Sequence, residues 1–230
     1  RNVRTCVLLS FSGKPPRKIA ISSPNPAEGK TTTAVNTAIA LSQTGARVLI
    51  IDSDLRKPRI YKIFDHENRV GLSTFLSGHA DLDSIITETD IPNLSHIPAG
   101  PIPPNPSELL GSTLFRDMME TLEERFDHII LDSPPILGFA DAVVVSSAVD
   151  GVILVVLGGK TPRETLLRAK ESLQQVNARI LGVVINRVNI QRGDYSHYGY
   201  HSYRYQDYSD EEPKKGKNFS YSKKGDSVST

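Results

Sequence analysis

Short apolar runs rich in β-branched residues alternate along the chain with longer, more polar segments. Because the runs are only about four to seven residues long, they predict strands buried on both faces. There are five of them: Lys18–Ser22, Val48–Asp52, Ile129–Asp132, Val152–Leu157 and Ile180–Asn186.

The segments between these strands have the periodicity of helices. Two predicted helices cover Thr31–Gln43 and Ser107–Arg125. A third begins at Thr161-Pro162-Arg163-Glu164, which reads as a capping box with proline in the first helical position. Alternation of strand and helix predicts an α/β fold with a doubly wound, mainly parallel sheet flanked by helices.

The composition changes near Gln191. Beyond it Leu, Ile and Met are absent, and Ser, Gly, Lys and Asp dominate. So little aliphatic surface cannot offset the entropy of ordering the chain, which predicts a disordered tail over 190–230. The body is expected over 17–189, preceded by an N-terminal segment over 1–16. The tail contains seven of the eight tyrosines: Tyr195, Tyr198, Tyr200, Tyr203, Tyr205, Tyr208 and Tyr221.

Charge and cysteine content narrow the function classes. The formal charge is +1, from 27 Lys+Arg against 26 Asp+Glu, and this balance argues against nucleic acid as a partner. The single cysteine, Cys6, offers neither an internal disulfide nor a thiolate metal site, which fits a reducing compartment. No apolar run approaches the roughly 18 residues of a membrane span.

A candidate phosphate-binding loop lies between the first predicted strand and the first predicted helix. Its sequence is Pro24-Asn25-Pro26-Ala27-Glu28-Gly29-Lys30-Thr31. In this context backbone N–H groups and the helix dipole favour phosphate, Lys30 can reach the β- and γ-phosphates, and the Thr31 hydroxyl can ligate Mg²⁺. Gly-Lys-Thr alone is weak evidence for a phosphate site, because the same three residues also occur at the capped start of an ordinary helix.

Carboxylates follow two other predicted strands. Asp52 and Asp54 end one strand together with Arg56, and Asp132 ends another in Asp132-Ser133-Pro134-Pro135. Each acid alone is most simply a solvated turn or a helix cap. However, doubly wound sheets bind ligands at the carboxyl ends of their strands, so three such ends predict one shared site.

These three motifs resemble the Walker A, Walker A′ and Walker B motifs of the bacterial tyrosine kinases. The matching patterns are Ser-Pro-x-Pro-x-Glu-Gly-Lys-Thr, Asp-x-Asp-Leu-Arg-Lys-Pro and Asp-Ser-Pro-Pro, and the tyrosine cluster stands at the expected end of the chain. The resemblance implies a P-loop NTPase fold related to MinD and ParA. It also implies an ATP- and Mg²⁺-dependent protein-tyrosine kinase that phosphorylates its own tail tyrosines, in trans between subunits. One departure is Ala27, where the family usually has glycine. If φ is positive at this position, the methyl group of alanine could alter the loop and so change its affinity for the nucleotide.

The resemblance also implies roles for individual residues. Lys30 would hold the phosphates, while Thr31, Asp52 and Asp132 would hold Mg²⁺ directly or through water. Asp52 and Asp54 would orient the metal and the incoming tyrosine, and one of the two would accept the phenol proton. The remaining nucleotide contacts are expected from Glu28, Gly29, Thr32, Asn186 and Arg187.

Assembly and cellular context are implied in the same way. Arg1 and Arg4 resemble the end of a Glu-x-x-Arg-x-x-Arg motif through which family members form rings when unphosphorylated. The expected partners are further copies of the chain, a membrane-embedded polysaccharide chain-length regulator, fused or separate, and a phosphotyrosine phosphatase. The implied role is control of capsule or exopolysaccharide synthesis and export. The expected location is cytoplasmic, at the inner face of the membrane through an upstream segment or a partner.

Two other functions compete with this hypothesis. A dimerising ATPase switch of the MinD/ParA group shares the three motifs, but usually has an extra lysine near the start of the loop, where this chain has Ser23 and Pro24. A non-catalytic module could use the tyrosine tail as an adhesive segment. Intact Lys30 and Asp132 argue against the second alternative. His197 and His201 have the spacing of a helical metal pair but are expected to be solvated in the tail, and the other four histidines are expected to be ordinary core or surface residues.

Overall fold

The fold is described by a computed structural model that covers residues 2–8 and 15–188. Within these residues seven strands form one sheet: β1 (Lys18–Ser22), β2 (Val48–Asp52), β3 (Thr87–Glu88), β4 (Leu94–Ile97), β5 (His128–Asp132), β6 (Gly151–Leu157) and β7 (Ile180–Asn186). Their order in the sheet is β3-β4-β2-β5-β1-β6-β7, and every pairing is parallel except that of β3 with β4. The predicted parallel sheet is therefore confirmed.

The helices of the described residues connect these strands. They are α1 (Asn2–Leu8), α2 (Lys30–Ser42), α3 (Ile60–Ile63), α4 (Leu72–Leu76), α5 (Leu82–Ile85), α6 (Pro106–Leu110), α7 (Thr113–Arg125), α8 (Ala140–Ser146) and α9 (Arg163–Gln174). Within the part of the chain that the structure describes, none of them is long and apolar enough to cross a membrane.

Alternate residues of β2 belong to two separate hydrophobic clusters. Leu49 and Ile51 pack in the cluster that contains Phe115 of α7, whereas Val48 and Ile50 pack in the cluster that contains Leu41 of α2. Since successive side chains of a strand point to opposite faces, helices cover both faces of the sheet. This explains why the central strands read as continuous apolar runs rather than as alternating ones.

Two details of the predicted helices were wrong. The segment predicted as one helix, Ser107–Arg125, is divided into α6 and α7 at Gly111, and Ser112 caps α7 by accepting the Phe115 N–H at 3.2 Å. The predicted capping box at Thr161 is absent: α9 begins after Pro162 without a side-chain cap. Thr161 instead accepts the Leu157 N–H at 2.9 Å and donates its hydroxyl to Glu28.

Candidate active site

The loop between β1 and α2 depends on glycine at its last position. Gly29 has φ of 96°, in the left-handed region, and a Cβ placed there would lie 2.0 Å from Asn186 Nδ2. The backbone conformation and the neighbouring amide thus both require a residue without a side chain. The strand, loop and helix expected around a P-loop are all present.

Glu28 braces this loop from inside the protein. Its side chain is buried, accepts the Asn25 N–H at 2.8 Å and receives the Thr161 hydroxyl from the segment after β6. Its backbone carbonyl accepts a hydrogen bond from Asn186 Nδ2 at 3.0 Å. The loop is therefore tied to the ends of β6 and β7, which fixes its shape before any ligand binds.

Ala27 has the positive φ that was considered for this position from the sequence. Its φ is 65°, and its side chain is exposed. A non-glycine residue in this region carries a conformational cost of about 1–2 kcal/mol. The loop thus holds its shape against strain at Ala27, and the bonds around Glu28 supply the restraint.

Lys30 meets the three predicted acids in one buried cluster. β5 lies between β1 and β2, and Asp52 stands opposite Asp132 in the register of β2 with β5. The Lys30 ammonium lies 2.8 Å from Asp54 Oδ2 and 3.6 Å from Asp132 Oδ1. All four side chains are buried. The strand ends that were predicted to converge do so, around a single lysine.

The carboxylates of this cluster differ in how they are held. Asp52 Oδ2 accepts the Arg59 and Ile60 N–H groups at 2.9 Å each, at the start of α3. Asp54 Oδ2 accepts from Lys30, and its Oδ1 accepts the Lys57 N–H at 3.0 Å. The oxygens that remain without a hydrogen-bond partner among the described residues are Asp52 Oδ1 and both oxygens of Asp132.

Unpartnered buried carboxylate oxygens fit a divalent cation. Leaving such oxygens without a donor costs free energy, and Mg²⁺ prefers carboxylate, hydroxyl and phosphate oxygens. Thr31 follows Lys30 at the start of α2, and its hydroxyl lies close enough to lower the pKa of Asp132 without forming a hydrogen bond of normal geometry. Asp52, Asp132 and Thr31 are therefore a suitable set of groups to hold Mg²⁺ beside a nucleotide.

Crowding of the acids changes their protonation. Burial, together with the charge of Asp132, raises the pKa of Asp52 to about 7. Burial likewise raises the pKa of Asp132 to about 6, although the charge of Lys30 opposes the shift. Burial disfavours the Lys30 charge, but Asp132 and Asp54 outweigh it and raise the pKa of the ammonium. The site thus holds more negative charge than one lysine neutralises, which favours binding of further cations.

The remaining predicted nucleotide contacts lie around this loop. Thr32 is exposed in the first turn of α2. Arg187 is exposed after β7 with φ of 53°, and its N–H binds Asn186 Oδ1 at 2.9 Å. Asn186 itself contacts the loop through Glu28. Asn186 is thus placed at the phosphate loop, and its contact with the nucleotide stays a prediction, as do those of Thr32 and Arg187.

Several predicted residues lie outside the part of the chain that the structure describes. Arg1, the seven tail tyrosines, His197 and His201 belong to this group. Arg4 is described: it lies on α1, and its Nη1 donates to the Ala40 carbonyl near the end of α2 at 3.1 Å. Its expected role in ring assembly stays a prediction.

The sequence did not predict a second charged cluster beside the acids. Arg56 Nε and Nη2 bind Asp141 Oδ2 and Oδ1 at 2.6 and 3.2 Å, and Ser107 also donates to Asp141. The Arg56 guanidinium lies 4.1 Å from the centre of the Phe139 ring. Burial alone would raise the pKa of Asp141, but its bonds from Arg56 and Ser107 lower it. Asp141, Ser107 and Phe139 are distant from Arg56 in sequence. Of the four, only Arg56 stood in a motif identified from the sequence.

Two histidines predicted to be unremarkable form a pair. His66 Nδ1 lies 2.6 Å from His96 Nε2, and the rings are stacked with centres 4.8 Å apart. Burial and the neighbouring His66 lower the pKa of His96 to about 4. His96 is thus a neutral core residue, and within the described residues no group of three or more potential metal ligands was found.

Comparison with known proteins agrees with this geometry. The family model described as an AAA domain matches residues 16–184. The tyrosine-protein kinase CpsD of Streptococcus agalactiae is 40% identical over 195 residues, which cover 83% of this chain and 85% of that protein.

Solved structures show the same relationship. The kinase domain of the Escherichia coli tyrosine kinase ETK aligns with a TM-score of 0.71 and 32% identity, covering 75% of this chain and 69% of that one. The Pyrococcus furiosus cell division ATPase MinD aligns with a TM-score of 0.65 and 26% identity, covering 75% of this chain and 73% of that one. The fold is therefore common to kinases and ATPase switches, whereas the sequence is nearer to the kinases.

Three findings lead to one conclusion. A buried lysine meets three acids at adjoining strand ends, the AAA-domain model matches most of the chain, and a tyrosine-protein kinase is 40% identical. The chain belongs to the bacterial tyrosine-protein kinase family.

Proposed function

We propose that this chain transfers the γ-phosphate of MgATP to tyrosines of its own tail, on a neighbouring copy. The observation that carries the proposal is the cluster of Lys30 with Asp52, Asp54 and Asp132, in which three carboxylate oxygens have no hydrogen-bond partner among the described residues. Phosphoryl transfer demands mainly positioning and neutralisation of charge, and this cluster supplies groups for both.

The protein groups divide the work according to their contacts. Lys30 would hold the β- and γ-phosphates, and Asp132 and Thr31 would hold the metal directly. Asp52 would contact the metal only through water, so that its Oδ1 stays free. When bound at these residues, the cation would supply positive charge that offsets the negative charge of the phosphates during transfer. Both oxygens of Asp54 accept hydrogen bonds, one from the Lys30 ammonium and one from the Lys57 N–H. Asp54 therefore orients Lys30.

Asp52 is the better placed of the two A′ acids to receive the phenol proton. Its Oδ2 is anchored by two backbone N–H groups, while its Oδ1 has no partner among the described residues. A pKa raised to about 7 suits an acceptor that works near neutral pH. As the tyrosine oxygen bonds to phosphorus, its proton would pass to Asp52 Oδ1.

The tail leaves the described body near the phosphate loop. β7 ends at Asn186, which binds the Glu28 carbonyl at 3.0 Å, and Tyr195 is nine residues further along. Nine extended residues span about 30 Å, so a neighbour's site is within reach, as is the chain's own. The preference for a neighbour rests on the family resemblance.

Mixing two complementary variants of the full chain tests transfer in trans. One protein carries Lys30→Met with its tail intact, and the other is active but has Phe at all seven tail tyrosines. We expect phosphotyrosine on the Lys30→Met chain, detected by mass spectrometry. Self-labelling of the wild type without any label in the mixture would contradict transfer between molecules. ATP hydrolysis by the wild type without phosphotyrosine would instead favour a MinD-like switch.

We extend the proposal to partners on the same resemblance. A membrane-embedded chain-length regulator would bind the chain and activate it, unphosphorylated copies would form rings through Arg1 and Arg4, and a phosphatase would reset the tail, with polysaccharide export as the controlled process. Light scattering before and after phosphorylation tests the assembly step. Rings that persist at full tail phosphorylation would contradict it, since each phosphate adds about −1.5 to −2 charge.

A further inference from the structure

The segment that follows β5 runs from Asp132 in the candidate active site to the start of the phosphate loop. Ile136 N–H donates to the Ser23 carbonyl at 2.9 Å, and Leu137 N–H donates to the Pro24 carbonyl at 3.3 Å. This end of the segment is therefore fastened to the start of the phosphate loop. Since β5 lies between β1 and β2, the segment begins directly at Asp132 and has the phosphate loop on one side.

The other end of the segment is fastened to the A′ motif. Phe139 packs with its ring centre 4.1 Å from the Arg56 guanidinium, and Arg56 follows Asp54 by two residues. Arg56 is itself held by both oxygens of Asp141, which is completely buried. The Phe139 ring is therefore fixed in place by a charged group that cannot easily move.

Phe139 remains 44% exposed in spite of this contact, and its neighbour Leu137 is 40% exposed. Phe139 belongs to neither hydrophobic cluster of the core, so core packing does not account for it. It offers an apolar, preoriented surface against Arg56, which follows Asp54 by two residues. The ligand that such a surface suits best is a second aromatic ring.

We propose that Phe139 is the platform on which the phenol ring of the acceptor tyrosine stacks, and that it selects tyrosine over serine and threonine. This inference rests on the proposed function, and it names a positioning residue for the protein substrate. The occupant is a tyrosine of the tail of a second copy, since seven of the eight tyrosines belong to the 42 residues that follow Val188.

Stacking explains selectivity in physical terms. Aromatic pairs prefer offset or edge-to-face arrangements, and such a pair strengthens binding by roughly two- to tenfold beyond simple burial. Serine and threonine have no ring to stack, and their hydroxyls are too close to the backbone to pass beyond the platform toward the acids. The ring thus both anchors the acceptor and sets how far its oxygen extends.

The test uses a peptide with the sequence of residues 195–208 as acceptor for the full chain. We expect Phe139→Leu to raise the KM for the peptide roughly three- to tenfold, with kcat and the Kd for ATP unchanged. Phe139→Tyr keeps the ring and should retain the wild-type KM, which separates stacking from a folding defect. Leu167→Ala, which alters a side chain that is 40% exposed on α9, is the matched control and should change none of these values.

The outcomes separate the two proposals. If the wild type phosphorylates the peptide and Phe139→Leu has an unchanged KM, the platform is wrong while the kinase function stands. A weaker Kd for ATP in Phe139→Leu, with an unchanged KM for the peptide, would make Phe139 a nucleotide contact and would also overturn the platform. If the wild type phosphorylates no tyrosine at all, both proposals are overturned.

Discussion

Asp52→Asn should make the ligand-free protein more stable at alkaline pH while abolishing phosphotransfer. Asp52 is completely buried, and its Oδ2 accepts two backbone N–H groups at 2.9 Å each. Asparagine can keep both bonds through its oxygen and place its amide where Oδ1 has no partner among the described residues. The substitution therefore removes a charge from the crowded cluster without removing the hydrogen bonds.

The sign of the effect follows from the pKa. Burial and Asp132 raise the pKa of Asp52 from 3.8 to about 7, so the folded state binds more protons than the unfolded state between these values. Stability from this group is therefore highest at low pH and falls as pH rises through about 7. A shift of about three units corresponds to about 4 kcal/mol, an upper bound since Asp132 shares the titration. We expect Asp52→Asn to raise the free energy of unfolding by about 1–3 kcal/mol at pH 8 and by almost nothing at pH 4.

Urea denaturation at pH 4 and pH 8, without nucleotide and with a chelator, measures this difference. Asp117→Asn, at an exposed position of α7, is the matched control and should change the free energy of unfolding by less than about 0.5 kcal/mol at either pH. A loss of stability in Asp52→Asn at pH 8, or a gain that is equal at both pH values, would refute the argument. Saturating MgATP should reduce this stability difference between Asp52→Asn and the wild type, since a bound cation relieves the repulsion between the buried carboxylates of the wild type.

Two predictions concern the phosphate loop. Ala27→Gly should raise the free energy of unfolding by about 0.5–1 kcal/mol, because relief of the positive φ of 65° exceeds the entropic cost of glycine. Calorimetry would detect this, and a gain no larger than that of Asn177→Gly, a remote positive-φ control, would contradict it. Gly29→Ala should weaken ATP binding at least tenfold by titration calorimetry, since its Cβ would lie 2.0 Å from Asn186 Nδ2. Adding Asn186→Gly should restore binding only in part, because φ stays at 96°; wild-type affinity in Gly29→Ala alone would be contrary evidence.

The central strands and the shared site could be predicted because their signals are local. All five apolar runs mark strands, although β7, at the edge of the sheet, has no buried residue and its prediction as a buried strand was wrong. A parallel sheet brings the carboxyl ends of its strands to one edge. Asp52 and Asp132 were therefore expected to be neighbours, and they are opposite each other in the register. The edge strand β3 and its neighbour β4 were not predicted, because strands of two and four residues that include polar side chains carry too little signal.

Contacts between distant segments could not be predicted. The Arg56 bond to Asp141 joins positions 85 residues apart, and Thr161 meets Glu28 across 133 residues. Thr161 shows how tertiary structure overrides a local pattern. Its sequence is typical of a helix cap, but a buried carboxylate at Glu28 needs donors more than an exposed helix end does, since solvent can satisfy the latter.

Pro24 illustrates what distinguishes this chain from the ATPase switches that share its fold. The switches were expected to differ by a lysine near this point of the loop, whereas Pro24 is buried here and its carbonyl accepts the Leu137 N–H at 3.3 Å. A lysine at this buried position would need a partner for its charge, and would crowd the segment that leads to Phe139. An apolar residue at position 24 therefore lets that segment pack against the loop. Under the proposed function, this apolar wall near Asp132 would leave room for the tyrosine side chain of a second copy.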